Sequence, residues 1–430
     1  MKILVVGNGA REHAIVSKLR ESSIGAVDEI YCAPGNAGIA KLARLVPIAL
    51  SNTVELADFA QTIRADLTIV GPELPLTLGI VDEFKKRGLR VFGPSRAAAE
   101  IEGSKVFARE FLTRHNVPSP RYIVCGTFED AERALDGGTL GFPCVVKADG
   151  LTAGKGAIVC ETKAGALDAA SSMLKDKRFG KAGERLVIEE FVQGEEVSFL
   201  VLCDGTRAVP LASVQDHKRL LDGDKGPNTG GMGSISPALN LKLELHKEIM
   251  STIIIPTIAG LAKEGRTFSG VLYAGLMIGT DGRPKVLEFN ARFGDPECQV
   301  ILARLKSDLA SLLVAVADGA LGDVKVEWAK EPAACVVVAS EGYPENVVKG
   351  REIRRVPDNS EGLAILHGGT ALEGQKLVTD GGRVFAVTAL GATLPQALNR
   401  AYEAVSGIEF DGMQHRRDIG ASALKRLGVA

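Results

Sequence analysis

The sequence predicts a protein of mixed α/β and α+β class that opens with a Rossmann-like parallel sheet. Short apolar segments in the first hundred residues each precede a turn containing glycine or proline; they cover residues 3–6, 29–33, 67–70 and 91–93. A helical pattern at 11–20 follows the first segment, and this alternation is typical of βαβ units on a parallel sheet. Binding loops are then expected at the carboxyl ends of the strands.

The remaining chain mixes strands and helices without this alternation, which predicts three domains. The first covers residues 1–103. The second covers 104–327, begins with a helix at 104–115 capped by Ser104, contains a smaller α+β subdomain at about 121–190, and ends with one helix from 299 to about 317. A strand at 333–339 then opens a small β-rich domain over 328–430.

Composition excludes several classes of protein. The chain has 430 residues and a formal net charge of −2, so no general basic surface indicates a nucleic-acid partner. Its seven cysteines are scattered without a C-x-x-C pair, which fits a reducing compartment and excludes a zinc knuckle. The first strand is too short for the core of a signal peptide and lacks a cleavage site, and apolar runs are too short for a membrane span, so a cytoplasmic protein is expected.

The most informative segment is an apolar strand that runs into a charged turn at residues 286–297. Glu288 and Asn290 lie two positions apart, so on a strand they share a face, and their oxygens suit Mg²⁺. Arg292 continues the alternation and adds a positive charge, which indicates chemistry on an anion, most simply a phosphate. In the alternative, Glu288 only pairs with Arg292, and the acids of the turn cap the next helix.

A second segment, residues 147–156, places glycines and a threonine between Lys147 and Lys155 at the end of a strand. Free backbone N–H groups in such a loop can hold phosphates. The loop is not a P-loop, because the G-x-x-x-x-G-K-[ST] pattern is absent and a strand follows. The alternative is an ordinary glycine hairpin with solvated lysines.

The turn after the first strand, Gly7 to Glu12, resembles a dinucleotide fingerprint but has Glu12 at the third glycine position. That departure argues against an NAD-dependent oxidoreductase. It leaves either a tight turn or a loop for a smaller phosphorylated ligand at a helix N-terminus.

Polar segments complete the candidate site. Residues 187–196 form a strand that ends in acids suited to a ribose or an adenine amine, and residues 216–219 and 226–233 supply basic and glycine-rich loops. Taken alone, the acids of 187–196 are better explained as solvated charges. The loops at 216–219 and 226–233 are equally compatible with a mobile surface loop.

Together these motifs resemble the phosphoribosylamine–glycine ligase family of the ATP-grasp superfamily over essentially the whole chain. The resemblance rests on Gly7-Asn8-Gly9-Ala10-Arg11-Glu12-His13, Ala33-Pro34-Gly35-Asn36-Ala37-Gly38, Val70-Gly71-Pro72-Glu73, Glu102-Gly103-Ser104-Lys105 and the segments 147–156, 215–219, 226–233 and 288–297. It implies a preATP-grasp N-terminal domain and an ATP-grasp core with a lid subdomain. The implied substrates are ATP, glycine and 5-phospho-β-D-ribosylamine, joined through glycyl phosphate in the second step of purine biosynthesis, with Mg²⁺ or Mn²⁺ as cofactor.

The resemblance also implies roles for individual residues. Arg292 and Lys147 would be catalytic, and Glu288 and Asn290 would bind the metal. ATP would contact Lys105, Lys147, Asp149, Gly150, Gly154, Lys155, Gly156, Glu189, Glu190, Val192 and one of Glu195 or Glu196. The other substrates would contact Gly9, Arg11, Gly35, Asn36, Gly71, Glu73, Asp216, Lys218, Arg219, Asn228, Thr229, Gly230, Arg292 and Asp295.

One departure affects the metal site. Many ATP-grasp enzymes have another acidic ligand on the preceding strand, whereas here residues 271–278 contain none. The alternatives are another ATP-grasp ligase or carboxylase, and a nucleotide sensor that lacks activity. A monomer or weak homodimer without nucleic-acid or membrane partners is expected.

Overall fold

A computed structural model describes residues 1–22, 27–152, 154–322 and 324–429. Ala153, inside the predicted phosphate loop, lies outside the described residues. None of the described helices is long and apolar enough to cross a bilayer.

The N-terminal region is a parallel sheet with helices on both faces, as predicted. Its strands pair in the order β3-β2-β1-β4-β5, all parallel. Ile3, Leu4, Val5 and Val6 on the central strand are fully buried, because helices cover both faces of a parallel sheet. The elements are β1 Lys2–Gly7, α1 Ala10–Arg20, β2 Glu29–Pro34, β3 Arg44–Leu45, α2 Thr53–Ile63, β4 Leu67–Val70, α3 Glu73–Thr77, α4 Ile80–Lys86, β5 Val91–Phe92 and α5 Arg96–Gly103.

The next segment forms a small antiparallel sheet with its own core. Helix α6 precedes it and begins at Ser104, whose side chain accepts from the N–H of Phe107 as predicted. The strand order is β6-β9-β7-β8, and helices α7 and α8 cover one face. The elements are α6 Lys105–Arg114, β6 Tyr122–Cys125, α7 Phe128–Asp136, β7 Cys144–Ala148, β8 Ala157–Cys160, α8 Lys163–Leu174 and β9 Leu186–Glu190.

A second antiparallel sheet, in the order β11-β10-β16-β17, carries the predicted metal ligands on its edge strand β17. The elements of this part are β10 Gly194–Asp204, β11 Ala208–Pro210, β12 Gln215–Asp216, β13 Arg219–Leu221, β14 Lys225–Asn228, β15 Gly233–Ser236, α9 Leu243–Ile249, α10 Ile255–Lys263, β16 Ser269–Gly279, β17 Pro284–Asn290, α11 Glu297–Arg304 and α12 Leu309–Ala317. The single helix predicted from 299 to 317 is wrong. It is two helices, because Leu305 leaves the helical conformation and the Asp308 side chain caps a new start by accepting from Ser311.

The C-terminal part is an antiparallel sheet packed on helix α13. Its order is β12-β15-β18-β22-β19, so two short strands from before residue 237 belong to the same sheet as the last hundred residues. That sheet therefore crosses the domain boundary predicted at 327. The elements are β18 Ala333–Ala339, β19 Leu363–His367, β20 Thr370–Glu373, β21 Lys376–Thr379, β22 Arg383–Leu390, α13 Leu394–Ser406 and α14 Ala421–Arg426.

Two buried histidines, His13 on helix α1 and His367 on β19, join the N-terminal and C-terminal parts. The N–H of His367 donates to Nδ1 of His13 at 2.8 Å, and the ring centroids lie 5.6 Å apart. Burial lowers the pKa of His13 to about 3 and that of His367 to about 4. Both rings are therefore neutral at pH 7.

This pair predicts a pH-dependent stability. Because the folded pKa values lie below the ordinary value near 6.5, the unfolded chain binds these protons first, and stability falls as the pH falls from about 6.5 towards 4. Each histidine contributes at most about 1.4 kcal/mol per pH unit. Urea unfolding of His13→Gln, measured across this pH range, should show a shallower pH slope than the wild type. Equal slopes for wild type and His13→Gln would contradict the prediction.

Candidate active site

The candidate site is a cavity of about 720 Å³ that receives residues from every region of the fold. Helices α1 and α3 supply Arg11 and Glu73. Strand β7 supplies Lys147, and the loop between β7 and β8, called the lid loop below, supplies Lys155. The central sheet supplies Glu288, and the C-terminal part supplies Arg383. Segments far apart in sequence therefore form one site.

Glu288 and Asn290 both face this cavity from β17, as their spacing predicts. Nζ of Lys218 lies 3.1 Å from the Glu288 carboxylate and, as the largest influence, lowers the pKa of Glu288 to about 2. The amide nitrogen of Asn290 donates to Glu102 at 3.2 Å and to the Phe289 carbonyl, which identifies the other end of the amide as oxygen. An ionised carboxylate and an amide oxygen are hard ligands that fit Mg²⁺.

The protein offers few ligands for a metal ion at this site. Among the described residues no group of three or more His, Cys, Asp or Glu side chains is arranged to hold a metal. Gly275 lies directly opposite Glu288 on β16, and a Cβ there would come within 3.1 Å of the Glu288 side chain. A further acidic ligand at that position would be crowded, so a bound ion would complete its shell with phosphates and water.

Arg292 does not pair with Glu288, contrary to the alternative considered for this run. Its guanidinium lies 2.8 Å from Glu102 and 3.3 Å from Glu73. Burial alone would lower the pKa of Arg292, but the two carboxylates outweigh it and raise the pKa. The charge is therefore permanent and its position is held from two sides.

Lys147 lines the cavity and is held by an ion pair. Its Nζ lies 2.8 Å from Glu189, and Arg109 donates to the same carboxylate at 2.6 and 2.8 Å. Burial lowers the pKa of Lys147. The Glu189 carboxylate is therefore occupied by two cations of the protein, and the residue also lines the cavity. Its contact with adenosine stays a prediction.

Some of the other residues predicted to contact ATP line the cavity, whereas others hold the loop beside it in place. Lys105, Gly154, Lys155, Gly156, Glu190, Val192 and Glu196 line the cavity. Asp149 accepts from the Ser104 hydroxyl, the Val106 N–H and Arg185, so its side chain anchors the start of the lid loop on helix α6. The carbonyl of Gly150, next to it, accepts from Nζ of Lys105 at 3.4 Å.

The choice between Glu195 and Glu196 follows from strand alternation. Glu196 lines the cavity and pairs with Lys218, whereas Glu195 is exposed and pairs with Arg426. Neighbouring residues on β10 face opposite sides of the sheet. Glu196 is thus the one placed to contact a ligand.

Of the residues predicted to bind substrate from the N-terminal loops, only some line the cavity. Arg11 and Glu73 line the cavity, whereas Gly9, Gly35, Asn36 and Gly71 lie outside its lining. Asn36 has a structural role: its amide donates to the carbonyls of Asn8 and His367 and accepts from Gly38 and Ile39.

Glu12 explains the departure from the dinucleotide fingerprint. Its buried carboxylate accepts from the Gly9 N–H and from Arg11, both at 2.6 Å. A Cβ at Gly7 or Gly71 would overlap the Glu12 side chain. An internal anion thus fills the turn where a dinucleotide would place its pyrophosphate.

The polar loops at 216–230 form a hairpin beside the cavity. Asp216, Lys218, Arg219, Asn228, Thr229 and Gly230 line the cavity, as does Asp295. Burial lowers the pKa of Lys218, but Glu196 and Glu288 outweigh it and raise the pKa.

Arg416, a buried residue near the C-terminus, holds this hairpin. It donates to Asp224 and Asp418 at 2.7 Å and to the Arg219 carbonyl at 3.2 Å, and Asp418 accepts from the Gly223 N–H. The acidic turn at 222–224 therefore anchors the hairpin to the C-terminal part.

Arg416→Ala is expected to lower the free energy of unfolding by about 3 kcal/mol, because it removes several charged hydrogen bonds and leaves Asp224 and Asp418 without their shared partner. Urea denaturation measures the change. The neighbouring exposed Arg417→Ala is the control and should leave stability unchanged. Equal stability of the two variants would show that Arg416 does not anchor the hairpin.

Some cavity residues were not predicted from sequence. Arg109 looked like an ordinary helix residue, and Glu297 and Tyr273 carried no separate signal. Arg383 followed a glycine turn interpreted only as a turn, yet it donates to the carbonyls of Gly230 and Asp295 and pairs with the Asp295 carboxylate at 3.1 Å. Glu102 was visible only as part of the motif before Lys105.

Comparison with known proteins identifies the family. Models for phosphoribosylglycinamide synthetase match the chain in three segments: the N domain over residues 1–102, the ATP-grasp (A) domain over 103–298 and the C domain over 333–422. The chain belongs to the phosphoribosylamine–glycine ligase family. A relative from Ralstonia nicotianae with that name is 48% identical over 426 residues, which cover 99% of this chain and 100% of the relative. One from Brucella melitensis is 49% identical over 429 residues, covering 99% of each.

Solved structures agree with this family assignment and with the fold. A phosphoribosylamine–glycine ligase from Thermotoga maritima has a TM-score of 0.84 and 33% identity, and the match covers 97% of this chain and 100% of that one. A biotin carboxylase from Campylobacter jejuni has a TM-score of 0.76 at 15% identity, covering 100% and 96%, and shows the shared fold alone.

Membership of the phosphoribosylamine–glycine ligase family confirms several predictions. The fold class, the ATP-grasp core and the ATP-dependent carbon–nitrogen ligase class are as expected. The function, a step of purine biosynthesis, is that of the family. The roles of individual residues remain predictions.

Proposed function

We propose that the cavity joins glycine to 5-phospho-β-D-ribosylamine with Glu288, Asn290, Lys147 and Arg292 as its central residues. The observation that supports this is their convergence on one cavity, where two oxygen ligands lie beside cations held by ion pairs. Such an arrangement suits phosphoryl transfer, in which positioning and charge stabilisation supply most of the catalysis.

The reaction needs no enzyme nucleophile. A carboxylate oxygen of glycine attacks the γ-phosphorus of ATP, the bond to the β-phosphate oxygen breaks, and ADP leaves. The amine nitrogen of phosphoribosylamine then attacks the carbonyl carbon of glycyl phosphate. Phosphate leaves, and the amine loses a proton to give the amide.

The cations of the cavity stabilise the charge in these steps. Three lysines line the cavity and neutralise phosphate oxygens of ATP. They are Lys105 on helix α6, Lys147 on strand β7 and Lys155 in the loop after β7. Arg292 carries a permanent charge and stabilises the oxyanion of the tetrahedral intermediate, a contribution of about 3 kcal/mol. Because Glu73 and Glu102 hold the guanidinium before substrate binds, it needs little reorganisation.

The metal would be Mg²⁺ or Mn²⁺ held by Glu288 and Asn290, and it would supply further positive charge at the phosphate oxygens of ATP. A solved biotin carboxylase domain with the same fold, from Hydrogenobacter thermophilus, is described as a complex with MgADP.

The remaining cavity residues would bind substrates. Glu190, Val192 and Glu196 would contact adenosine. Arg11, Lys218, Arg219, Asn228 and Thr229 would hold phosphoribosylamine, since they place cations and amides beside the N-terminal loops. Family models that match 1–102, 103–298 and 333–422 support the domain division at 103 and about 327. We also propose that the protein is cytoplasmic and is a monomer or a weak homodimer.

An omission assay tests the function. Phosphate release is measured with ATP, Mg²⁺, glycine and freshly made phosphoribosylamine, leaving out one component at a time. Release should require all four. Turnover without glycine would contradict the proposal, and light scattering on the same sample would test the oligomeric state.

A further inference from the structure

Three buried charged side chains, two cations and one anion, meet at the wall of the cavity. They are Arg109 on α6, Lys147 on β7 and Glu189 on β9. Arg109 donates to the Glu189 carboxylate through Nε at 2.6 Å and through Nη2 at 2.8 Å, and Nζ of Lys147 lies 2.8 Å from the same carboxylate. Two parallel N–H donors make the arginine contact the stronger of the two. Arg109 therefore neutralises Glu189 and leaves one positive charge in excess.

The excess charge frees Lys147 to bind an anion. A lysine that is the sole partner of a buried carboxylate cannot turn to a ligand without leaving that carboxylate unpaired, which is costly. Here Arg109 continues to hold Glu189 when Nζ of Lys147 moves. The Glu288 carboxylate does not need this charge, because Lys218 lies 3.1 Å from it.

The same guanidinium shapes the strand that carries Glu288. Glu288 and Val286 on β17 stand opposite two consecutive residues of β16, so Leu287 between them is the extra residue of a β-bulge. The Leu287 carbonyl accepts from Nη2 of Arg109 at 2.7 Å and from Nζ of Lys147 at 3.1 Å, and the Val286 carbonyl accepts from Nη1 of Arg109 at 2.8 Å. Bulges beside active sites aim the neighbouring side chains. Arg109 thus fixes the backbone directly before Glu288.

We infer that Arg109 is a positioning residue that presents Lys147 to the phosphates of ATP and aims Glu288 at the metal ion. The inference rests on the proposed function, in which Lys147 contacts phosphate and Glu288 is a metal ligand. Arg109 acts through Glu189 and through the bulge at Leu287. The resemblance to the family implies no role for it.

Equilibrium binding of β,γ-methylene-ATP, measured by calorimetry in EDTA, tests the action on Lys147. Arg109→Met should raise the Kd roughly 10-fold, because Lys147 is then held by Glu189 alone and loses about one charged hydrogen bond to phosphate. If Arg109 acts through Lys147, the two losses are not additive. Arg109→Met should therefore change the Kd by less than about twofold in a Lys147→Met background.

The same titration with Mg²⁺ tests the action on Glu288. The ratio of the Kd in EDTA to the Kd in Mg²⁺ should shrink roughly 10-fold in Arg109→Met, as when a group that supports a metal ligand is lost. Arg109→Lys keeps a cation beside Glu189, so its Kd in EDTA should stay within about threefold of the wild type. A lysine has one nitrogen and cannot also hold both carbonyls, so the gain from Mg²⁺ should remain reduced.

The controls separate positioning from folding. Arg114→Met changes an exposed arginine on the same helix and should keep both wild-type Kd values. Circular dichroism and the melting temperature report on the fold. Arg109→Lys replaces Arg109→Met if that variant does not fold, and a wild-type gain from Mg²⁺ in Arg109→Lys would then overturn the inference.

The outcomes distinguish the inference from the function on which it rests. If Lys147→Met leaves the Kd in EDTA unchanged, the proposed role of Lys147 fails, and the inference fails with it. If Lys147→Met weakens binding and a folded Arg109→Met does not, only the inference fails. Additive losses in the double variant would also overturn it, because Arg109 would then act independently of Lys147.

Discussion

Glu288→Ala is expected to abolish turnover while leaving the fold intact. The variant removes the ionised ligand of the metal pair and leaves Asn290 as the protein's other oxygen ligand. Removing groups that only support a metal ligand typically costs 10- to 100-fold, so loss of the ligand itself should cost more than roughly 100-fold. Steady-state phosphate release measures the effect.

The fold should survive because the Glu288 side chain is 40% exposed and faces the cavity rather than the core. Its partner Lys218 keeps Glu196. Circular dichroism and the melting temperature should match the wild type. Glu288→Gln, which keeps the size but loses the charge, should also be nearly inactive, and the exposed Glu373→Ala on β20 is the control. Wild-type turnover in Glu288→Ala would remove this residue from the metal site.

Arg292→Lys is expected to lower kcat roughly 100-fold while raising the KM for ATP by less than about threefold. The guanidinium reaches Glu73 and Glu102 with different nitrogens, and a lysine has only one nitrogen to place. The charge remains but moves away from the position proposed for the oxyanion. Steady-state kinetics with ATP as the varied substrate give both constants.

The exposed Arg283→Lys is the matched control and should behave as the wild type. A variant of Arg292 with normal kcat and a raised KM for ATP would show that the residue binds ATP in the ground state instead of stabilising the transition state.

Local patterns predicted the elements well where each pattern has a single interpretation. The strand at 67–70, the strand at 333–339 and the cap at Ser104 are as predicted. The helix predicted from 299 to 317 failed because Leu305 to Asp308 are compatible with a helix by composition. Their extended conformation includes a bridge between Leu305 and Trp328, a long-range contact that local patterns do not reveal.

In the candidate site, too, local patterns predicted some features and missed those that depend on long-range contacts. The spacing of Glu288 and Asn290 predicted a shared face on a strand, and the lysines and glycines of 147–156 predicted a loop beside the cavity. Asp149 and Asn36 matched the motifs of the family, but their hydrogen bonds are with the protein itself. A motif identifies a residue without distinguishing contact with a ligand from support of the loop that makes the contact.

The sequence by itself determined the fold class and the groups suited to a metal and a phosphate, because strand alternation and loop composition are local properties. Its ordered motifs carried the resemblance to the family. Tertiary structure alone decided which charges neutralise one another. It paired Glu189 with Arg109 and Lys147 and joined Arg292 to Glu73 and Glu102. The physical reason is that ion pairing depends on distances of a few ångströms between residues up to about two hundred positions apart, which the folded chain sets and local sequence does not.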